Sequence, residues 1–209
     1  MLELDVQRTS DGHLVVFHDP TTARWDAPPR PVSACTLADL RTLDIDGERV
    51  ATLAEVCAYI RDMGMLLNVE LKQADISAQT VMLLRDHAIA ERVIISSFHA
   101  TALKELQQIA PDIRCAYLMG TQTYRLDVRA RELWPFLALQ QVRAAAWHPA
   151  YQLPALRQVL PLVRQSGYAV NVWTVDDPQL MQQLVAWGAT GIITNRPDVA
   201  RRVLGSYTL

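Results

Sequence analysis

Short apolar runs of strand length alternate with longer segments of helical periodicity along the chain, a pattern typical of repeated strand–helix units. The alternation predicts seven strands, at residues 2–6, 66–71, 93–97, 114–118, 144–147, 169–175 and 191–194. A further hairpin is predicted near the start, because the tight-turn signal Asp11-Gly12 separates residues 5–9 from the apolar run 14–17. An α/β protein with this many units is either an open doubly wound sheet or a closed barrel.

Capping signals mark several helix ends. Thr52 and Glu55 form a predicted capping box, and Asp177 precedes a proline that fits the first turn of a helix. Asn195 is expected to cap the last helix, ahead of Arg196-Pro197. Glycines that allow a left-handed helix stop follow three apolar-periodic stretches, at Gly64, Gly167 and Gly188.

The number of units favours a barrel with a part missing. No long linker divides the chain, so residues 1–209 are expected to form a single domain. A (β/α)₈ TIM barrel needs eight units and typically about 250 residues. The 209-residue chain supplies seven, and its first strand starts at the initiator Met. We therefore expect an α/β (β/α)₈ TIM barrel with the first βα unit apparently missing.

Composition excludes several classes of partner. The 20 Lys and Arg residues against 22 Asp and Glu residues give a net charge of −2, without the basic excess that nucleic acid requires. No apolar run approaches the ~20 residues that span a bilayer, and a signal peptide is lacking, so a cytoplasmic protein is expected. The three cysteines are widely spaced and expected to be reduced. No GxGxxG or GK[ST] motif is present, which disfavours nucleotide cofactors.

Glu3 and Asp5 are two residues apart on the first predicted strand, so both side chains leave the same face. Two carboxylates on one inward face repel each other, and a hard cation such as Mg²⁺ or Ca²⁺ would remove that cost. The alternative is an exposed strand face with ordinary solvated acids.

The next strand repeats the pattern, with Asn68, Glu70 and Lys72 on one face. A third carboxylate and a cation suit a metal and a phosphoryl oxyanion. The alternative is a wet edge strand whose Glu70 and Lys72 bridge to neighbouring helices.

His18 follows the apolar run of the hairpin, where it could act as a general acid or base. A capped or surface histidine is the alternative, and His148 at a later strand end is a weaker second candidate. Trp173 shares a strand face with Asn171 and could form an aromatic wall over a polyol or choline-like group. It could equally fill the core.

The order of the motifs ELDVQRTSDGHLVVFHD, TLAEV, NVELK, ISSF, VNVWTVDD and GIITNRP resembles the glycerophosphodiester phosphodiesterase family over essentially all 209 residues. The resemblance implies a metal-dependent enzyme that hydrolyses small-molecule glycerophosphodiesters, such as glycerophosphocholine or glycerophosphoethanolamine, to glycerol 3-phosphate and an alcohol. It also implies a role for six residues: divalent-metal ligands Glu3, Asp5 and Glu70, catalytic His18, and substrate-binding Lys72 and Trp173.

The sequence departs from the family pattern in two places. The HRG strand end and the PEN turn, which would supply the other catalytic histidine, an arginine and an acid, are absent, and Asn195 stands where the family usually has Asp. We therefore expect impaired turnover. The alternatives are a non-catalytic barrel remnant that acts as a binding or homo-oligomerising module, and a metal-dependent lyase or aldolase that uses Lys72 as base or Schiff-base former.

Overall fold

Strands and helices alternate through both of the compact units into which the chain divides, Met1–Arg114 and Cys115–Leu209. The computed structural model describes residues 1–120 and 125–205. The expectation of a single domain over residues 1–209 stays a prediction, and each unit is described by itself.

The first unit has four described strands, in the sheet order β2-β1-β3-β4. β1 and β2 are antiparallel, whereas β1 with β3 and β3 with β4 are parallel. Single 3₁₀ turns lie at Val32–Ala34 and Ala90–Arg92. The strands and α-helices are β1 Leu2–Arg8, β2 Leu14–Val16, α1 Leu37–Leu40, α2 Leu53–Met63, β3 Leu67–Leu71, α3 Ser77–Asp86, β4 Val93–Ser97 and α4 Ala100–Ile109.

The local signals at the start of the chain are confirmed. The predicted hairpin joins β1 and β2, with Gly12 in the left-handed region at a φ of 85°. The Thr52 hydroxyl accepts from the Glu55 amide, and the Glu55 carboxylate accepts from the Thr52 amide, so the predicted capping box begins α2. Gly64 ends α2 at a φ of 64°.

The two faces of β1 and β3 differ in chemistry because successive side chains point to opposite sides of a strand. In the parallel register, Asp5 lies opposite Glu70 and Glu3 lies opposite Asn68. The side chains of the other face form the buried core of the unit, including Leu4, Val6, Val69, Leu71 and Ile95. The polar face is therefore fixed by the burial of its apolar neighbours.

The second unit has parallel strands in the order β5-β6-β7-β8. Its buried core includes Trp147, Leu160, Val163 and Leu184. The elements are β5 Arg114–Met119, α5 Leu126–Leu133, α6 Phe136–Gln141, β6 Ala146–Pro149, α7 Leu156–Gln165, β7 Ala169–Val172, α8 Pro178–Ala186, β8 Gly191–Ile192 and α9 Pro197–Leu204.

Strand β6 begins at Ala146, two residues later than predicted. The preceding residues complete the stop of α6, where Arg143 takes a φ of 48° and the Ala144 amide donates to the Leu139 carbonyl.

The predicted Asn195 cap of α9 is wrong. The Asn195 side chain donates to the Asp176 carboxylate at 3.1 Å, and Arg196 takes the cap position instead, without a side-chain hydrogen bond to the helix.

The three cysteines, Cys35, Cys57 and Cys115, are buried and form no disulfide, which confirms the predicted reduced thiols. Of the helices in the described ranges, none combines the length and apolar character needed to cross a membrane.

Candidate active site

Three carboxylates converge on the polar face of β1 and β3. One oxygen atom from each of Glu3, Asp5 and Glu70 lies within 4.8 Å of the other two. Within residues 1–120 and 125–205, this is the one group of three or more metal-ligating side chains that close together. The parallel pairing of Asp5 with Glu70 produces the convergence, because opposed residues on adjacent strands share a face.

The ammonium group of Lys72 balances two of these acids. Its Nζ atom lies 2.9 Å from Asp5 Oδ1 and 2.7 Å from Glu70 Oε1. Burial alone would lower the pKa of Lys72, but the Glu70 and Asp5 carboxylates outweigh it and raise that pKa above its ordinary value. A charged ammonium group is a poor Schiff-base former, so this environment disfavours the lyase or aldolase alternative.

Glu3 is the acid that this lysine does not pair. Burial, followed by repulsion from Asp5 and Glu70, raises the pKa of Glu3 to about 7, although Lys72 partly opposes the shift. Burial also raises the pKa of Glu70. Carboxylates held together against their mutual repulsion form a donor set suited to a hard divalent cation, so the residues fit the predicted metal site.

His18 is held by its neighbour in sequence. The His18 Nδ1 atom lies 2.7 Å from Asp19 Oδ1, and the Asp19 carboxylate also accepts from Arg24 at 3.0 Å. Because Nδ1 is engaged by Asp19, any proton that His18 exchanges with a ligand would pass through Nε2. Burial raises the pKa of Glu70, and Lys72 and, more weakly, His18 oppose that rise, so the histidine lies within electrostatic reach of the acidic cluster.

Gln7 is a part of the site that the sequence prediction missed. The buried Gln7 side chain donates from Nε2 to the Phe17 carbonyl at 2.8 Å and to the Asp19 carbonyl at 2.7 Å. The Phe17 amide in turn donates to the Asp5 carbonyl at 3.0 Å. The alternation of residues 3, 5 and 7 places Gln7 on the acidic face, and this was the available signal.

Trp173 lies in the second unit, directly after β7. Its indole Nε1 donates to the His148 carbonyl at 2.8 Å. The Trp173 backbone also bonds at both of its polar atoms, since its amide donates to the Pro149 carbonyl and its carbonyl accepts from the Tyr151 amide. These bonds fix the position of the tryptophan, and its predicted role in substrate binding stays a prediction.

His148 is a buried partner of Asn171. The Asn171 Nδ2 atom lies 2.9 Å from His148 Nε2, and His148 is 1% exposed. Burial lowers the pKa of His148 to about 3. The imidazole is therefore neutral near pH 7, where it cannot donate the proton of an imidazolium.

Parallel strands joined by helices, with three acids and a lysine brought together at adjacent strands, define the class: an α/β protein with a site suited to cation binding. The model of the glycerophosphoryl diester phosphodiesterase family matches residues 1–199. The chain therefore belongs to the glycerophosphoryl diester phosphodiesterase family.

Individual relatives agree with the family assignment. The glycerophosphodiester phosphodiesterase of Caldanaerobacter subterraneus subsp. tengcongensis is 31% identical over 210 residues, which cover 94% of this chain and 82% of the relative. A solved structure from Silicibacter pomeroyi matches with a TM-score of 0.87 at 24% identity, over 97% of this chain and 82% of that one. This likeness confirms the predicted α/β fold class of the TIM-barrel type.

The solved structure of an Oleispira antarctica phosphodiesterase, in complex with the product sn-glycerol-3-phosphate, matches with a TM-score of 0.83 at 25% identity. The match covers 98% of this chain and 84% of that one.

Proposed function

We propose that the chain hydrolyses glycerophosphodiesters to glycerol 3-phosphate and an alcohol, with a divalent metal ion held by Glu3, Asp5 and Glu70. The observation that carries the proposal is the convergence of these three carboxylates beside Lys72, in a chain of this family. The family is generally dependent on a divalent metal ion, and the Oleispira antarctica relative binds glycerol 3-phosphate as its product.

The charges of the site suit the chemistry of a phosphodiester. A bound divalent ion would supply charge stabilisation for the non-bridging phosphoryl oxygens. The Lys72 ammonium group adds a second positive charge for the same oxygens, from a position fixed by Asp5 and Glu70. Lys72 and a bound ion would together favour the more negative transition state over the bound diester.

His18 provides the proton transfer. Hydrolysis breaks the bond between phosphorus and the oxygen of the leaving alcohol and forms a bond from phosphorus to an oxygen of water. The leaving oxygen gains one proton, and the water oxygen loses one. The Nε2 atom of His18 performs one of these two transfers, while Asp19 holds the ring through Nδ1.

The direct test measures glycerol 3-phosphate released from glycerophosphocholine and glycerophosphoethanolamine by the purified chain. Chelation with EDTA should abolish turnover, and Mg²⁺ or Ca²⁺ should restore it; the more effective ion identifies the metal. Glu70→Gln should lower kcat by about 10²-fold or more, because it removes one charged ligand. The exposed Asp62, which pairs with Arg61, gives the control variant Asp62→Asn, with unchanged turnover expected.

Two results would contradict the proposal: turnover that survives chelation, or a Glu70→Gln variant with full activity. The specific activity in the same assay measures whether turnover is impaired, as predicted. A stable homo-oligomer without turnover on either substrate would support the binding or oligomerising module instead, and light scattering measures that state.

A further inference from the structure

A pocket of about 290 Å³ lies beside His18 in the first unit. Its polar lining consists of His18, Asp19, Arg24 and Arg49, and its apolar lining consists of Val16, Phe17, Trp25, Ile45, Val50 and Ala51. The volume is just below the roughly 300–1,000 Å³ of typical small-molecule pockets, so a small alcohol fits its size.

The apolar wall is built into the core. Phe17 and Val50 are buried in a cluster beneath the segment that connects β2 to α2, and Trp25 and Ile45 pack against that cluster. The Val16 amide donates to the Ala51 carbonyl at 2.8 Å, which joins the two sides of the pocket. The wall is therefore formed before any ligand binds.

The charged groups of the pocket leave one positive charge uncompensated. The Asp19 carboxylate already balances the Arg24 guanidinium, at 3.0 Å. Throughout the described part of the chain, no acidic side chain forms an ion pair with Arg49, and Arg49 is exposed. The guanidinium of Arg49 is thus available to a ligand in the pocket, and it can bind a phosphate or carboxylate through two hydrogen bonds.

These charges disfavour a cationic ligand. A quaternary ammonium group is recognised by aromatic faces. This pocket offers Phe17 and Trp25, but its lining carries a surplus positive charge, because Asp19 balances only one of its two guanidinium groups. Repulsion between like charges opposes the binding of a choline group, whereas an anionic group gains the contact with Arg49.

We propose that this pocket binds the leaving alcohol of the diester and selects anionic head groups, with Arg49 as the residue that determines the selection. The inference rests on the proposed function. His18 connects the pocket to the proposed hydrolysis, because the residue proposed to transfer a proton also lines this pocket. The site therefore favours glycerophosphodiesters whose second alcohol carries a phosphate or a carboxylate.

The test compares two substrates that differ by one phosphate, glycerophosphoinositol and its 4-phosphate. The wild-type chain should show the higher kcat/KM for the phosphorylated substrate. Arg49→Gln should lower that preference by about 3- to 10-fold, the range expected for a solvent-accessible charged contact, because kcat/KM falls more for the phosphorylated substrate than for glycerophosphoinositol. Arg61→Gln, an exposed arginine that pairs with Asp62 and does not line the pocket, is the matched control. An equal effect on both substrates, or none, overturns the proposal.

A binding measurement separates the failure of this proposal from failure of the proposed function. Inositol 4-phosphate, the alcohol that cleavage would release, is titrated by calorimetry into the wild type and into the two variants Arg49→Gln and Arg61→Gln. This measurement requires no turnover. Weaker binding to Arg49→Gln supports the pocket even if no diester is cleaved. Equal binding of inositol 4-phosphate to both variants, or tighter binding of choline than of inositol 4-phosphate by the wild type, overturns the pocket even if cleavage is fast.

Discussion

The side chain of Gln7 donates to the backbone carbonyl of Asp19 at 2.7 Å. This bond, together with the one to the Phe17 carbonyl, attaches the turn that holds His18 to strand β1, which holds Glu3 and Asp5. The proposed proton-transfer group and two proposed metal ligands are therefore positioned by one strand. Gln7 is a positioning residue, since it acts through the backbone of the turn.

Gln7→Leu should separate this positioning from metal binding. The change keeps the size of the side chain but removes the Nε2 donor, which should lower the free energy of unfolding by about 1–3 kcal/mol. We expect kcat to fall about tenfold with little change in KM, because a small displacement of an acid–base group is costly. Steady-state kinetics measure the changes in kcat and KM, and metal titration should show an unchanged affinity for the ion.

The matched control is Gln79→Leu. Gln79 also donates to a backbone carbonyl, that of Gly12 at 2.7 Å, but on the exposed surface away from His18. Its kcat should equal that of the wild type. Unchanged kcat in Gln7→Leu would mean that the turn holds His18 without the glutamine.

Asp19→Ala should impair proton transfer. The variant removes the acceptor that holds His18 Nδ1, so the ring loses its fixed orientation, and kcat should fall by about 10²-fold. Asp19→Glu keeps a carboxylate and should regain part of the rate that Asp19→Ala loses. If Asp19 only stabilised the fold, restoring the carboxylate would not restore kcat. Asp26→Ala, which breaks an ion pair with Arg30 in the same connecting segment, is the control. Full activity of Asp19→Ala would argue against His18 as the proton-transfer group.

His148 should make the protein sensitive to acid. Burial lowers the pKa of His148 from 6.5 to about 3. A group whose pKa is depressed in the folded state stabilises that state fully above its unfolded pKa, and the contribution is lost as the pH falls from 6.5 toward 3, at up to about 1.4 kcal/mol per pH unit. In urea unfolding at several pH values, His148→Gln should lose stability less steeply over this range. An unchanged slope would assign the acid sensitivity to other groups.

Gly191→Ala should disrupt the polar pair next to it. A Cβ atom at position 191 would lie 2.5 Å from Asn171 Oδ1, so the amide must move away from His148. We expect a loss of about 1–3 kcal/mol in the free energy of unfolding, measured by chemical denaturation. In an Asn171→Ala background, the same glycine substitution should cost much less, because the clashing atom is gone. If Gly191→Ala lowered the free energy of unfolding equally in both backgrounds, the glycine would be required for a reason other than the space occupied by Asn171.

The acidic cluster could be predicted because it depends on a simple periodicity. Side chains two residues apart share a strand face, which places Glu3 with Asp5, and the next strand presents Glu70 and Lys72 in the same way. The apolar residues between them fix the orientation through burial. The strand bounds were predicted less well in the second unit. At β6 the preceding helix stop occupies residues that are apolar but not extended, and β7 and β8 end three and two residues earlier than predicted.

Features that depend on tertiary contacts were beyond the sequence prediction. The role of Gln7 requires two backbone carbonyls that a turn presents to it, and no pattern of residue types encodes that arrangement. Arg49 lies in a connecting segment without periodicity, so its position in the pocket could not be inferred. The Asn195 cap failed because Asp176, nineteen positions earlier, binds that side chain instead.

The alternation along β1 has a consequence for how this segment can change in evolution. Inserting or deleting one residue between Glu3 and Gln7 would exchange the faces on which the polar side chains and Leu4 and Val6 lie, whatever residue was involved. Such a change would bury carboxylates among the core and expose the apolar side chains. The number of residues in this segment is consequently more tightly restricted than the residue type at any single position. Mutational scanning should find that single-residue insertions and deletions are tolerated far more rarely here than substitutions.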